Sequence, residues 1–338
     1  MRFEYYHAGL EETPKLSIDG VVPHAVHFSH WQGNETPAEL KADTSTEIAL
    51  NLVASPRREE LTRGIDLVTN NHFDTDGVLS VWTILTGDRA LDLRAELIPA
   101  AESGDFSAYT NEQAIRASIV IQGSDAAIPD AGVISPLARM LAGDMDVDEA
   151  RAYELILPKV ESVLRRTNDY ESLWRDEWMK IERALESFAR GASRVEEDET
   201  AKLSLVTLAP NLYGASGFKP TRHAAPYTAI SRHACGELYL IAIPLDSGYG
   251  YRVDYPYYSW AETVVRPPVR RRELTAAVAR LNELENDANR RWQPDTSELT
   301  SALKCVDAAG LLCASSLSPE RVAEELKKPS AISYQLSA

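Results

Sequence analysis

Within residues 66–82, DLVTNNHFDTDGVLSVW, an apolar run gives way to His72-x-Asp74-x-Asp76-Gly77 and then resumes with helical spacing. This pattern reads as a strand, a polar tip and a helix. Alternating His and Asp side chains can converge on one point where the backbone leaves a sheet edge, and Gly77 relieves crowding where the helix begins. Two carboxylates and an imidazole suit a hard divalent ion, Mn²⁺ or Mg²⁺, better than a thiolate-type zinc site does. A single aspartate here would read as a helix cap, but a cap needs one acceptor and this tip offers three candidate ligands. His72, Asp74 and Asp76 are therefore expected to bind metal and carry the chemistry. Asp105, in AAESGDF after a helix expected over 90–103 and ended by Gly104, is the next acidic ligand expected.

The string H-x-D-x-D-G-x-x-S, formed by His72, Asp74, Asp76, Gly77 and Ser80, resembles the first motif of the DHH phosphoesterase superfamily. That resemblance implies a metal-dependent hydrolase of phosphoesters or phosphoanhydrides in which a metal-activated water attacks. It is confined to this motif, because the Asp-His-His triplet and a glycine-rich GGGH-type loop have no counterpart in the chain. FDTDGVL is also similar to the first motif of haloacid-dehalogenase-type phosphatases. Membership there would make Asp74 a nucleophile and Asp76 a general acid/base, with Asp144 and Asp148 as later acids. Asn70, Asn71 and His72 interrupt the apolar strand, however, and no Lys lies between Gly77 and Gly143, so this resemblance ranks second. A non-catalytic metal- or ligand-binding protein is the alternative from another class.

In the second half, YGASGFKPTRH gathers Gly214, Gly217, Lys219, Arg222 and His223. Glycines let backbone N–H groups face a ligand while Lys and Arg supply charge, as a phosphate requires. Lys219, Arg222 and His223 are thus the expected grip on a small anionic substrate, nucleotide-like ones included, although the spacing is not a Walker loop. His24, His27 and His30 recur every third residue. In a strand His27 would point away from the other two, so these read as structural, with His30 close enough to approach the central site. Asp43 reads either as a helix cap or as an acid orienting His72. Arg270, Arg271 and Arg272 read as the solvated start of a helix, and His233-x-Cys235 carries no cysteine-hydrolase signature. Neither a G-x-S-x-G elbow nor a strand-linked G-x-G-x-x-G is present.

With 338 residues, 44% hydrophobic and 25% charged, the chain can build two cores. A net charge of −16 opposes general affinity for duplex nucleic acid, which rests on Lys and Arg displacing counterions. Three cysteines, Cys235, Cys305 and Cys313, without a CxxC, suit reduced thiols in a cytoplasm. The start MRFEYYHAGLEE has no apolar signal core, and the apolar run near YLIAIPL is too short to span a bilayer, so no membrane partner is expected.

These residues need elements to hold them. Short strands are expected at RFEYYH, KLSI and AVHFSHW, then a helix over 44–54 with a Thr44/Glu47 capping box, a central strand at 66–70 and a helix at 77–86. Helices follow at 110–123 and 133–142. The 3.6-residue spacing from 148 to 191 predicts a helical hairpin broken near Asn168-Asp169. The expected fold class is α/β: an N-terminal sheet with flanking helices and this hairpin (1–193), a linker at the charge-rich RVEEDETAK (194–202), and a smaller α+β substrate-closing domain with an antiparallel sheet (203–338). Ligands of such sheets bind at the carboxyl edge of the strands, where the motif falls.

Overall fold

Four short segments, β1 (Arg2–Phe3), β2 (Lys15–Ile18), β3 (Val26–Phe28) and β4 (Leu67–Thr69), pair in parallel in the order β1-β4-β2-β3. Every residue of β2 and β4 is buried, as expected for strands covered on both faces. The register sets Leu16 beside both Val68 and Val26, so β2, β3 and β4 end along one edge. The computed structural model describes residues 1–123, 135–143, 145–210, 212, 226–285, 287–296 and 299–328. Over these the chain is an α/β protein with two sheets.

The chain divides into two compact units, Met1–Trp178 with Trp260–Pro268 and Met179–Ser259 with Val269–Ala338. In the first, α1 (Ser45–Ala54) packs on α3 (Thr75–Thr86), with the short α2 (Arg58–Leu61) between them in sequence. Thr44 caps α1 by accepting from Glu47 N–H, the backbone half of the expected capping box. From Thr75 to Ile84 every residue of α3 is buried, because α1 and the sheet take one side and α4 (Arg94–Asp105) another. Ile48, Leu52, Val78, Leu79 and Leu97 form this core, each side chain contributing on the order of 2 kcal/mol by leaving water.

Helix α4 runs through Gly104 and ends at Asp105, two residues beyond the expected end at 103. Gly104 does not end the helix; it permits close packing. A Cβ there would lie 2.5 Å from Thr75 Cβ. Then come α5 (Glu112–Gln122), α6 (Pro136–Ala142), α7 (Glu149–Ile156), α8 (Val160–Arg165) and α9 (Glu171–Ala189). The helical stretch breaks at Thr167–Tyr170, as the sequence implies, and also at Leu157–Lys159, where Pro158 tightens a 3₁₀ turn.

The second unit holds a six-stranded sheet ordered β5-β6-β7-β8-β10-β9. Its strands are β5 (Arg194–Asp198), β6 (Leu203–Thr207), β7 (Leu238–Leu245), β8 (Gly248–Asp254), β9 (Arg290–Pro294) and β10 (Ser301–Asp307). Two expectations are corrected here. The charge-rich stretch at 194–202 is not a linker through its length, since β5 pairs with β6 from Arg194↔Thr207 to Asp198↔Leu203. Its charges mark a sheet edge, where they discourage pairing with other chains. The sheet is also mixed: β6 and β7 run parallel, the connection from Leu208 to Glu237 being long enough for a crossover. Helices Thr275–Glu285 and Pro319–Lys327 contribute Leu281, Val322 and Leu326 to the core over Leu240, Val253 and Trp292. Among the described residues no helix is long and apolar enough to cross a membrane.

Gly77 sits where three segments meet, and a Cβ there would lie 2.5 Å from Asn70 Nδ2, 2.7 Å from the Tyr153 hydroxyl and 3.1 Å from Asp19 Oδ2. Gly77→Ala is expected to cost about 1–3 kcal/mol of stability by overpacking, read from urea unfolding. An unchanged midpoint would show that Asn70 and Tyr153 can move aside and that the tip is not tightly packed.

Candidate metal centre

Three strand ends deliver the site. After β2 comes Asp19, held at φ 71° and buried. Two residues past β3 stands His30, and past β4 the tip carries His72, Asp74 and Asp76. The C-terminus of α4 adds Asp105. Asn70 and Tyr153 shape the tip: Asn70 Nδ2 donates to the Tyr153 hydroxyl at 3.0 Å, which donates to the His72 carbonyl at 3.0 Å. The asparagines that interrupt the strand thus fix the loop carrying His72 and Asp74.

These side chains form two overlapping groups, Asp19–His30–Asp76 and Asp19–His72–Asp74, each with its N and O atoms within 4.8 Å of one another. Asp19 belongs to both. His72 Nε2 lies 2.9 Å from Asp19 Oδ2 and 3.1 Å from Asp74 Oδ2. His30 Nε2 lies 3.6 Å from Asp19 Oδ1, 3.9 Å from Asp76 Oδ2 and 3.2 Å from Asp105 Oδ2. Despite this crowding, Asp19 Oδ2, His30 Nε2, His72 Nε2 and Asp105 Oδ2 are buried without any aligned hydrogen bond. They lie against one another in pairs, His72 Nε2 by Asp19 Oδ2 and His30 Nε2 by Asp105 Oδ2, without hydrogen-bond alignment.

Both motif aspartates also cap helices, so capping and clustering occur together. Asp74 Oδ1 accepts from Gly77 N–H at 2.7 Å at the start of α3. Asp76 accepts from Ser45 N–H at 2.7 Å and Thr46 N–H at 2.8 Å at the start of α1. Two positive helix ends therefore face the carboxylates. Ser80 donates back to the Gly77 carbonyl and steadies the first turn of α3.

His30 is oriented from behind. Its Nδ1 lies 2.7 Å from the Asp43 carbonyl, which can only accept, so Nδ1 carries a proton and Nε2 is turned to the carboxylate side. The Asp43 carboxylate neither caps α1 nor reaches His72. It accepts from Val265 N–H at 2.7 Å and Arg266 N–H at 3.0 Å, and from the Arg266 guanidinium at 2.9 Å. One residue thus grips the 260–268 segment with its side chain and fixes His30 with its backbone. Trp260 of that segment meets the His30 ring edge-on at 4.9 Å.

The charges in this space are strained. Burial works to raise the Asp19 carboxyl, but His72, His30 and the Ser45 hydroxyl outweigh it and hold it well below the usual range. Burial, then the charge of Asp19, pushes Asp76 up to about 7 against the pull of His30. Burial and the Asp74, Asp76 and Asp19 carboxylates drive Asp105 well above the usual range. Burial opposes protonation of His72, yet Asp74 and Asp19 raise it well above 6.5.

Of the residues the sequence singles out, His72 and Asp74 share one group while Asp76 falls in the other, Asp19 being common to both, and Asp105 lies beside His30 outside either group. His27 is structural, bonded to Ser29 Oγ at 2.8 Å, and His24 is exposed. Lys219, Arg222, His223 and Asp144 lie outside the described residues. Asp19 was missed. Its signal was the apolar KLSI running into an acid, which Asp19-Gly20 disguises as an ordinary turn.

The chain belongs to DUF6687. That family, described as a family of unknown function, has a model that matches residues 2–336. No curated protein and no solved structure matches the chain.

For this DUF6687 member a pH dependence follows. A group whose folded pKa is raised, as at Asp76 from 3.8 to about 7, contributes stability that is fully present below about pH 4 and lost as pH rises through about 7. His72, also raised, loses its contribution in the same direction above 6.5. A cation competes with those protons. The upward shift in thermal midpoint produced by a fixed Mn²⁺ concentration, relative to chelator-treated protein, should therefore grow from about pH 5 to about pH 8. A shift that shrinks over that range would contradict this electrostatic picture.

Proposed function

We propose that the chain is a metal-dependent hydrolase of phosphoesters or phosphoanhydrides, with two cation subsites that share Asp19. The observation that carries this reading is the crowding of four buried atoms, on Asp19, His30, His72 and Asp105, at ion-pair distances without an aligned hydrogen bond. Buried polar atoms are otherwise almost always hydrogen-bonded. The donors are carboxylate oxygens and imidazole nitrogens with no thiolate, the set that suits Mn²⁺ or Mg²⁺. Asp19, His30 and Asp76 would hold one ion and Asp19, His72 and Asp74 the other. A divalent ion there would lower the pKa of a bound water and polarise a phosphoryl oxygen.

The remaining residues have separable tasks. His30 and Asp76 are wholly buried, whereas His72 and Asp74 keep 29% and 24% of their side-chain surface exposed. Substrate therefore meets the second group first. Trp31, 5.9 Å from the His72 ring and 4.6 Å from Trp260, walls this side. Asp74 spends one oxygen on the Gly77 N–H and turns the other to His72, which supports a ligand's role over that of the dehalogenase-type nucleophile. The DHH-like first motif agrees with this assignment. The part given to Lys219, Arg222 and His223 in gripping the anion rests on the sequence.

The purified protein should release phosphate from at least one member of a panel of phosphomonoesters, phosphodiesters and nucleoside polyphosphates when supplied with Mn²⁺ or Mg²⁺. Chelation should abolish turnover, and Asp19→Ala should lower it about a hundredfold or more, the scale of losing a group that stabilises developing charge. If metal binds but no class is turned over, the non-catalytic metal-binding reading takes precedence.

A further inference from the structure

The second unit contains a pair of thiols set face to face by a hairpin. Cys305 lies in β10 and is 2% exposed, while Cys313 is half-buried on the segment that returns along that strand. Asp307 N–H donates to Leu311 O at 2.8 Å and Cys313 N–H to Cys305 O at 3.1 Å, with Val306 and Leu312 paired antiparallel between them. The turn is held by Asp307 Oδ1, which accepts from Ala309 N–H and Leu311 N–H at 2.9 Å each, and by Gly310 at φ +79°. This register places Cys305 opposite Cys313 with their sulfurs 3.8 Å apart. Opposed residues of antiparallel strands have Cα atoms about 4.5–5.5 Å apart, inside the disulfide range of about 4.4–6.8 Å. Side-chain rotation can close the remaining gap.

We propose that Cys305 and Cys313 are a dithiol–disulfide pair, oxidised by low-molecular-weight disulfides with Cys313 as the entry thiol. Cys313, the more exposed, loses its proton to water and its thiolate attacks one sulfur of the small disulfide. A mixed disulfide forms and one small thiolate leaves. Cys305 then attacks the Cys313 sulfur, its proton passing to the departing small thiolate, so that the Cys305–Cys313 bond closes as the mixed disulfide breaks. Two protein S–H bonds are lost, one protein S–S bond is gained, and the small disulfide is reduced to two thiols. Burial raises both thiols above their ordinary range, so proximity rather than acidity drives the second step.

The bond would clip residues 311–315 to the sheet. Ser315 in that stretch exchanges backbone hydrogen bonds with Tyr249 of β8 at 2.8 and 3.0 Å, and its hydroxyl donates to Glu285. Oxidation should therefore raise the thermal midpoint of the second unit.

Full-length protein is incubated with glutathione disulfide near neutral pH, quenched in acid, alkylated with N-ethylmaleimide and mapped by peptide mass spectrometry. The expected result is a Cys305–Cys313 linked peptide, with Cys235 recovered as its alkylated or glutathionylated form, and a midpoint shift of several degrees that dithiothreitol reverses. Cys313→Ser, at the half-exposed position, should abolish both the linkage and the shift while folding normally. Cys305→Ala should instead trap glutathione on Cys313. Stable glutathionylation of Cys313 in the native protein with Cys305 still alkylatable, or a linkage that involves Cys235, would overturn the proposal.

Discussion

Repulsion among buried carboxylates is the constraint on which the first unit is organised. Asp19 and Asp76 stand within 4.8 Å of each other in one group, and Asp19 and Asp74 within the same distance in the other. At an effective dielectric constant near 20, a pair of unit charges at that separation costs roughly 3–4 kcal/mol. Total stability is only about 5–15 kcal/mol. Two such pairs sharing Asp19, with Asp105 close behind His30, therefore need compensation. The helix ends of α1 and α3 give part of it, through the N–H groups that bond Asp76 and Asp74. Two imidazoles give more when protonated. Divalent cations in the two groups would give the rest, with His30 turning its Nε2 toward three carboxylates.

The fold serves this arrangement through its parallel sheet. Because β2, β3 and β4 run the same way, their ends lie on one edge, and residues as distant in sequence as Asp19 and Asp76 meet there. Gly77 and Gly104 let α3 and α4 approach closely enough for Asp19 and Asp105 to join. Asp43 ties the 260–268 segment to the same place, so a stretch far along the chain helps to hold His30.

Much of this was legible in the sequence. The His72–Asp76 tip, the α1 cap at Thr44 and the strand–tip–helix order each rest on short-range signals, and each element stands where those signals put it. The position of Asp105 beside His30 was also legible, although Gly104 marks close packing with Thr75 and not a helix end. Asp19 escaped notice because its importance comes from the pairing of β2 with β4, a long-range fact that no local spacing encodes. The same limit explains the reading of RVEEDETAK as a linker, since a charged edge strand and a solvated linker share a composition and differ only in having a partner. Asp43 offered two local roles and took a third, because its partners lie more than two hundred residues away.

The central claim, that two cations share Asp19, is tested most directly by electron paramagnetic resonance of the full-length protein loaded with Mn²⁺. Two ions bridged by one carboxylate are exchange-coupled, so the account predicts a coupled spectrum in the native protein that collapses to that of isolated Mn²⁺ in Asp19→Asn. A spectrum of isolated ions in the native protein at saturating Mn²⁺, or one indifferent to the loss of Asp19, would contradict it.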